Sequence, residues 1–222
     1  MRDDLKAALG EGIASAFLLI AVVGSGIAAQ CLSGGNAGLE LLVNAVVTGC
    51  ALVPLILSFG PISGAHMNPV VTLLAAAQSR LPWRRVPAYL AAQCAGALAG
   101  VAIAHVMFTV PILQVSQHER NGTALWVGEI VATVGLLGTI LRCQALGLQT
   151  TAAAVALYIT GAYWVTSSTS FANPAVTLAR AFTDTFSGIA PADAPAFMAA
   201  QFIGLGLILL ACRVVPAPKG VS

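Results

Sequence analysis

The sequence predicts an all-α membrane protein of six spanning helices and two re-entrant half-helices, arranged as an inverted repeat. Three observations carry this. Only 8% of the 222 residues are charged and 58% are hydrophobic, whereas about a quarter of a soluble domain is charged. Six apolar runs are long enough to cross roughly 30 Å of hydrocarbon. Two shorter apolar runs open on one motif: residues 68–73 (NPVVTL) and 173–178 (NPAVTL) agree at five of six positions.

The spans fall at about 7–29, 40–59, 85–110, 123–141, 148–165 and 195–214. The first has Arg2 and Lys6 ahead of it, but it is too long for a signal-peptide core and no clear cleavage site follows, so it reads as an uncleaved span. The two short runs, from Asn68 to about Ala77 and from Asn173 to about Phe182, cannot cross. Asn-Pro is a helix-start signal, with Asn at the cap and Pro in the first turn. Short runs with such a start read as half-helices that enter the membrane and return.

Charge sets the expected orientation. With both termini in the cytoplasm, Arg2, Lys6, Arg80, Arg84, Arg85, Arg142, Arg213 and Lys219 fall inside, and only Arg120 and Arg180 outside. The opposite topology violates the positive-inside rule. The net charge of +2 and the absence of a basic run longer than Arg84-Arg85 give no indication of a nucleic-acid partner. Five cysteines, an odd number without a CxxC, exclude a full disulfide framework and read as small packing residues.

The repeat extends beyond the Asn-Pro motif. Glu11 precedes the first copy and Glu129 the second, and Ala91-Ala92-Gln93 follows the first as Ala199-Ala200-Gln201 follows the second. Each half, approximately 1–110 and 119–215 of one 222-residue domain, holds three spans and a half-helix. Three is odd, so the second half enters from the opposite face and the two Asn-Pro starts meet near the midplane. Pro69 and Pro174 leave no orphan N–H in the first turn. Asn68 and Asn173 cap their helices with oxygen and keep an NH2 to donate into a lumen. The extended segments ahead of each half-helix need hydrogen-bond acceptors inside the membrane, and Glu11 and Glu129 are the natural ones.

On these residues the chain resembles the aquaporin superfamily, the major intrinsic proteins. Ser63-Gly64-Ala65-His66-Met67-Asn68-Pro69 resembles the first family signature, with Val70 where Ala is usual, and Asn173-Pro174-Ala175 resembles the second. The resemblance implies a homotetramer with one pore per subunit, in a lipid bilayer, with no cofactor and no metal. It also implies a selectivity filter on the extracellular side of the Asn pair. Counted from the two Asn residues, the filter positions are Thr48, Gly161, Ser170 and Val176. The usual Arg after the second Asn-Pro-Ala is absent, its place taken by Val176. The loosened filter resembles a bacterial aquaglyceroporin-like branch associated with arsenic resistance. That likeness implies passage of glycerol-like polyols, metalloid hydroxides such as arsenous acid, methylated arsenicals and water, in a bacterial plasma membrane.

Two residues have open roles. His66 either lines the cytoplasmic vestibule or packs and hydrogen-bonds. Arg180, seven residues after Asn173, returns to within about 20° of the same helix face. It either points to the extracellular vestibule or pairs with Asp184. Two rival classes remain at this point. A proton-coupled secondary transporter would use Glu11 and Glu129. A membrane enzyme would need a cluster of His, Asp or Ser at one depth; His66, His105 and His118 show no ligand spacing and no GxSxG occurs.

Overall fold

The computed structural model describes residues 2–214. The eight α-helices in it are α1 (Arg2–Leu32), α2 (Ala37–Ser63), α3 (Pro69–Ala77), α4 (Val86–Met107), α5 (Thr123–Cys143), α6 (Leu148–Val165), α7 (Pro174–Arg180) and α8 (Ala194–Val214). Among the described residues there is no strand. Lys219 and residue 215, the expected end of the second repeat, lie outside the described residues.

Helices α1, α2, α4, α5 and α8, two of them with their flanking 3-10 turns, are each long and apolar enough to cross a membrane. Helix α6 is the sixth span. Its 18 residues rise about 27 Å at 1.5 Å each. Gln149, Thr150, Thr151 and Thr160 dilute its hydropathy.

Most ends differ from the sequence expectation. Helices α1 and α2 run further at both ends than the apolar cores 7–29 and 40–59. Asn36 caps α2, its side chain accepting from Leu39 N, and Gly64 closes it in the left-handed region. Helix α4 stops at Met107 rather than 110, because Thr109 turns left-handed and Pro111 follows. Helix α7 ends at Arg180, two residues short of Phe182.

The packing is internally mirrored. Helix α1 packs on α2 and α4 as α5 packs on α6 and α8. The half-helices cross over: α3 lies against α4 and α8, and α7 against α8 and α4. Helices α2 and α6 join the halves. Close crossing depends on small residues, as is usual between membrane helices. A Cβ on Gly96 of α4 would run into the Gly12 carbonyl of α1, and one on Gly204 of α8 would sit 2.9 Å from Thr133 Cβ of α5.

Candidate solute pathway

The two half-helices start against each other. Asn68 Oδ1 accepts from Val70 N at 3.0 Å, and Asn173 Oδ1 from Ala175 N at 3.0 Å and Val176 N at 3.3 Å. Each side-chain amide then reaches into the other half. Asn68 Nδ2 donates to Ala172 O at 2.8 Å, and Asn173 Nδ2 donates to Met67 O at 2.7 Å. That uses one N–H of each NH2 and leaves a second for the lumen. Both Asn residues line the same cavity, with Pro69 and Pro174 buried behind them.

The backbone that presents these carbonyls is unusual in the same way twice. Ala65 and Met67, three and one residues before Asn68, have φ of 50° and 49°. Ser170 and Ala172, three and one before Asn173, have φ of 51° and 47°. Left-handed non-glycine residues are costly and persist only when the surroundings impose them. The surroundings here are two fully buried carboxylates. Glu11 accepts from His66 N at 2.8 Å, Met67 N at 2.7 Å, Ser63 Oγ at 2.7 Å and Gln93 Nε2 at 2.6 Å. Glu129 accepts from Phe171 N and Ala172 N, each at 2.8 Å, and from Gln201 Nε2 at 2.6 Å. Gln93 and Gln201 also donate to Thr72 and Thr177 at 2.9 and 2.8 Å, tying each carboxylate to its half-helix.

A continuous cavity of about 610 Å3 passes the Asn pair. Near one end lie Arg80, Arg85 and Gln144; near the other lie Ser170, Phe171, Val176 and Arg180. Arg80 contacts Gln144, and Arg85 pairs with Asp4, which places the start of α1 at the first end. The wall between is largely apolar, with Leu18, Val22, Leu52, Ile56, Val155 and Ile159. Neither Glu11 nor Glu129 lines it.

Of the four expected filter residues, Thr48, Ser170 and Val176 line the cavity and Gly161 does not. Gly161 is exposed on the outer face of α6 with Leu157 and Trp164. The cavity face of that helix is Thr151, Val155, Ile159 and Tyr163. Two residues from Ile159 is a 200° turn, so Gly161 points away. Tyr163 is therefore the α6 residue beside Thr48, its hydroxyl 3.2 Å from Thr48 Oγ1.

Arg180 is buried, 1% exposed, and lines the cavity. The pairing with Asp184 does not form. Arg180 Nε donates to Ser187 O, and its guanidinium carbon lies 3.4 Å from the centre of the Phe171 ring. Asp184 instead accepts from Gln117 N at 2.8 Å. His66 is half-buried on the cavity, its Nδ1 3.1 Å from Thr72 Oγ1 and its ring 5.6 Å from Tyr89. In the loop before α5, Arg120 Nε donates to Gly188 O at 2.7 Å, and its guanidinium carbon lies 5.1 Å from the Phe171 ring centre. Burial pulls the Arg120 guanidinium below the usual arginine range, against the opposing pull of Glu129 and Tyr163.

Sequence reasoning missed Tyr163 and Phe171. The first was findable from the period of α6, since Thr151, Val155, Ile159 and Tyr163 recur every four residues. Phe171 carried no signal beyond lying two residues before Asn173. None of the five cysteines lines the cavity, and among the described residues no cluster of ligating side chains could hold a metal.

Six spans, two half-helices meeting at their N-termini and a cavity past both define an inverted-repeat membrane channel. The sequence profile described as "Major intrinsic protein" matches residues 2–145, and the chain belongs to that family. Members are channels, not enzymes. The chain is 47% identical over 216 residues to "Aquaglyceroporin AqpS" of Rhizobium meliloti (strain 1021), covering 97% of this chain and 92% of the relative. It is 35% identical over 151 residues to "Probable aquaporin NIP7-1" of Arabidopsis thaliana, covering 64% and 51%. The crystal structure of the aquaglyceroporin from Plasmodium falciparum shares the fold at a TM-score of 0.78 and 21% identity, covering 97% of this chain and 98% of that one.

Proposed function

We propose that this chain is a passive channel for small, mainly uncharged solutes. They are polyols of glycerol's size, metalloid hydroxides such as arsenous acid, methylated arsenicals, and water. The observation that carries the reading is the cavity past Asn68 and Asn173, lined after the second Asn-Pro-Ala by Val176 rather than an arginine. The two asparagines offer donors at the midplane, and the apolar wall faces a solute's carbon side. Thr48, Tyr163, Ser170 and Val176 form the filter in this reading. The name of the Rhizobium relative supports glycerol as a solute.

The channel works as one domain, comprising the repeats 1–110 and 119–215, and assembles as a homotetramer in a bacterial plasma membrane with both termini cytoplasmic. Arg80, Arg84 and Arg85 lie at the end that carries Asp4, as the positive-inside rule asks of a cytoplasmic face. A proton-coupled transporter is disfavoured. Its candidate carboxylates, Glu11 and Glu129, spend their oxygens on backbone and glutamine donors away from the cavity.

The test is swelling of proteoliposomes in water, glycerol, urea and arsenous acid, with and without a proton uncoupler. Flux that rises linearly with the gradient and ignores the uncoupler is expected. Saturable flux abolished by the uncoupler overturns the reading.

A further inference from the structure

The charge on the cavity wall has one sign. Arg80, Arg85 and Arg180 line it, and among the described residues no Asp or Glu does. At mid-depth the two half-helix N-termini add partial positive charge. At the outer end Glu129 exerts an opposing pull on Arg120, but its oxygens are spent on Phe171 N, Ala172 N and Gln201 Nε2. Arg180 is 1% exposed and its Nε is spent on Ser187 O, but its terminal nitrogens have no hydrogen-bond partner among the described residues. Among the described residues no carboxylate forms an ion pair with Arg180 or with Arg120, and both guanidinium groups share one aromatic neighbour, Phe171.

A buried cation left unpaired is costly, and a ligand that satisfies it recovers that cost. A neutral polyol offers such a cation only neutral acceptors. A carboxylate presents two oxygens to the planar fork of an arginine, in charge-assisted bonds about twice as strong as neutral ones. The Phe171 ring holds the fork by stacking, so little freedom remains to be lost on binding. Arg120 adds a second positive charge behind the same ring. Val176, one helical turn inward, leaves room beside Arg180 where an arginine would fill it.

We infer that the outer end of the cavity holds a subsite for a small carboxylate monoanion, gripped by the terminal nitrogens of Arg180. The inference rests on the cavity being the solute path.

Formate is the probe. Glycerol-driven swelling of proteoliposomes is measured at about pH 8, where formate is ionised, with sodium formate or sodium chloride outside at equal ionic strength. Each rate is normalised to the same protein without added anion. Formate should slow the parent saturably, and chloride should not. In Arg180→Gln the half-inhibiting formate concentration should rise about tenfold or more, as loss of a charge-assisted bond implies. Arg180→Lys should fall between. Equal inhibition in parent and Arg180→Gln, or none in the parent, overturns the subsite.

A second measurement uses the parent alone. An arginine-specific dicarbonyl reagent is applied, and the modified Arg180 peptide is quantified by mass spectrometry. Formate should protect Arg180, and unchanged labelling overturns the proposal. If the parent fails to swell in glycerol at all, the channel reading fails, while the labelling still decides the subsite.

Discussion

The hydroxyls of Thr48 on α2 and Tyr163 on α6 stand 3.2 Å apart, joining the two helices that link the halves at the level of Val176 and Ser170. In the proposed filter this contact borders the pathway where the family arginine is missing. Tyr163→Ala should open it and raise the flux of a five-carbon polyol relative to glycerol. Gly161→Phe, at the position that motif spacing assigns to the filter, should leave both fluxes unchanged because its side chain points outward. Swelling rates at matched protein levels separate the two. A Gly161→Phe channel that excludes glycerol would return that residue to the pore.

Val176→Arg places bulk and charge beside Tyr163 and one turn below Arg180. Glycerol flux should drop about tenfold, the effect of ~1.4 kcal/mol of added barrier. Water flux should suffer less. Equal glycerol flux in parent and variant would show that Val176 does not border the narrowest point.

Asn173→Leu removes the cap of α7, the tie to Met67 O and the lumen donor together. Conduction of glycerol and water should both be lost in protein that still reaches the membrane. Normal flux in a correctly inserted variant would remove the Asn pair from the pathway.

Glu129→Ala leaves the N–H groups of Phe171 and Ala172 without their acceptor in the bilayer. Each orphaned donor costs about 1–3 kcal/mol. The thermal midpoint in detergent should fall and flux with it. Glu129→Gln keeps one acceptor oxygen and should fall less. A Glu129→Ala protein of parental thermal stability would mean that something else holds the second loop.

Much of this was legible in the sequence because motif and spacing act locally. Asn-Pro determines where a half-helix starts, and Glu11 and Glu129 were the available acceptors for loop N–H groups in a bilayer. Helix ends were less legible, since hydropathy reports the hydrocarbon while caps and prolines set the helix: Thr109 and Pro111 ended α4 early. The expectation of Gly161 in the filter came from counting back along the chain from Asn173. Helix phase, set by how α6 packs on α2, decides which residue faces the cavity, and it selects Tyr163. The side on which Arg180 lies was open because both Asp184 and the cavity were within reach of its helix face. Burial against Phe171, a contact no local pattern encodes, decides it.

The exchanged asparagine bonds also have a consequence for biosynthesis. Asn68 is completed by the carbonyl of Ala172, so the lip of the first half-helix waits for a partner about a hundred residues later in the chain. Positions 68 and 173 are 105 apart (173 − 68), which at about 5–20 residues per second is roughly 5–20 s of translation. For that interval Glu11 holds the Met67 N–H, but the Met67 carbonyl and the Asn68 side-chain amide have no partner opposite them. Ribosome-bound chains stalled near residue 150 should therefore show fast exchange of the Asn68 side-chain amide protons. Chains long enough to have released Ala172 into the membrane should show it slowed.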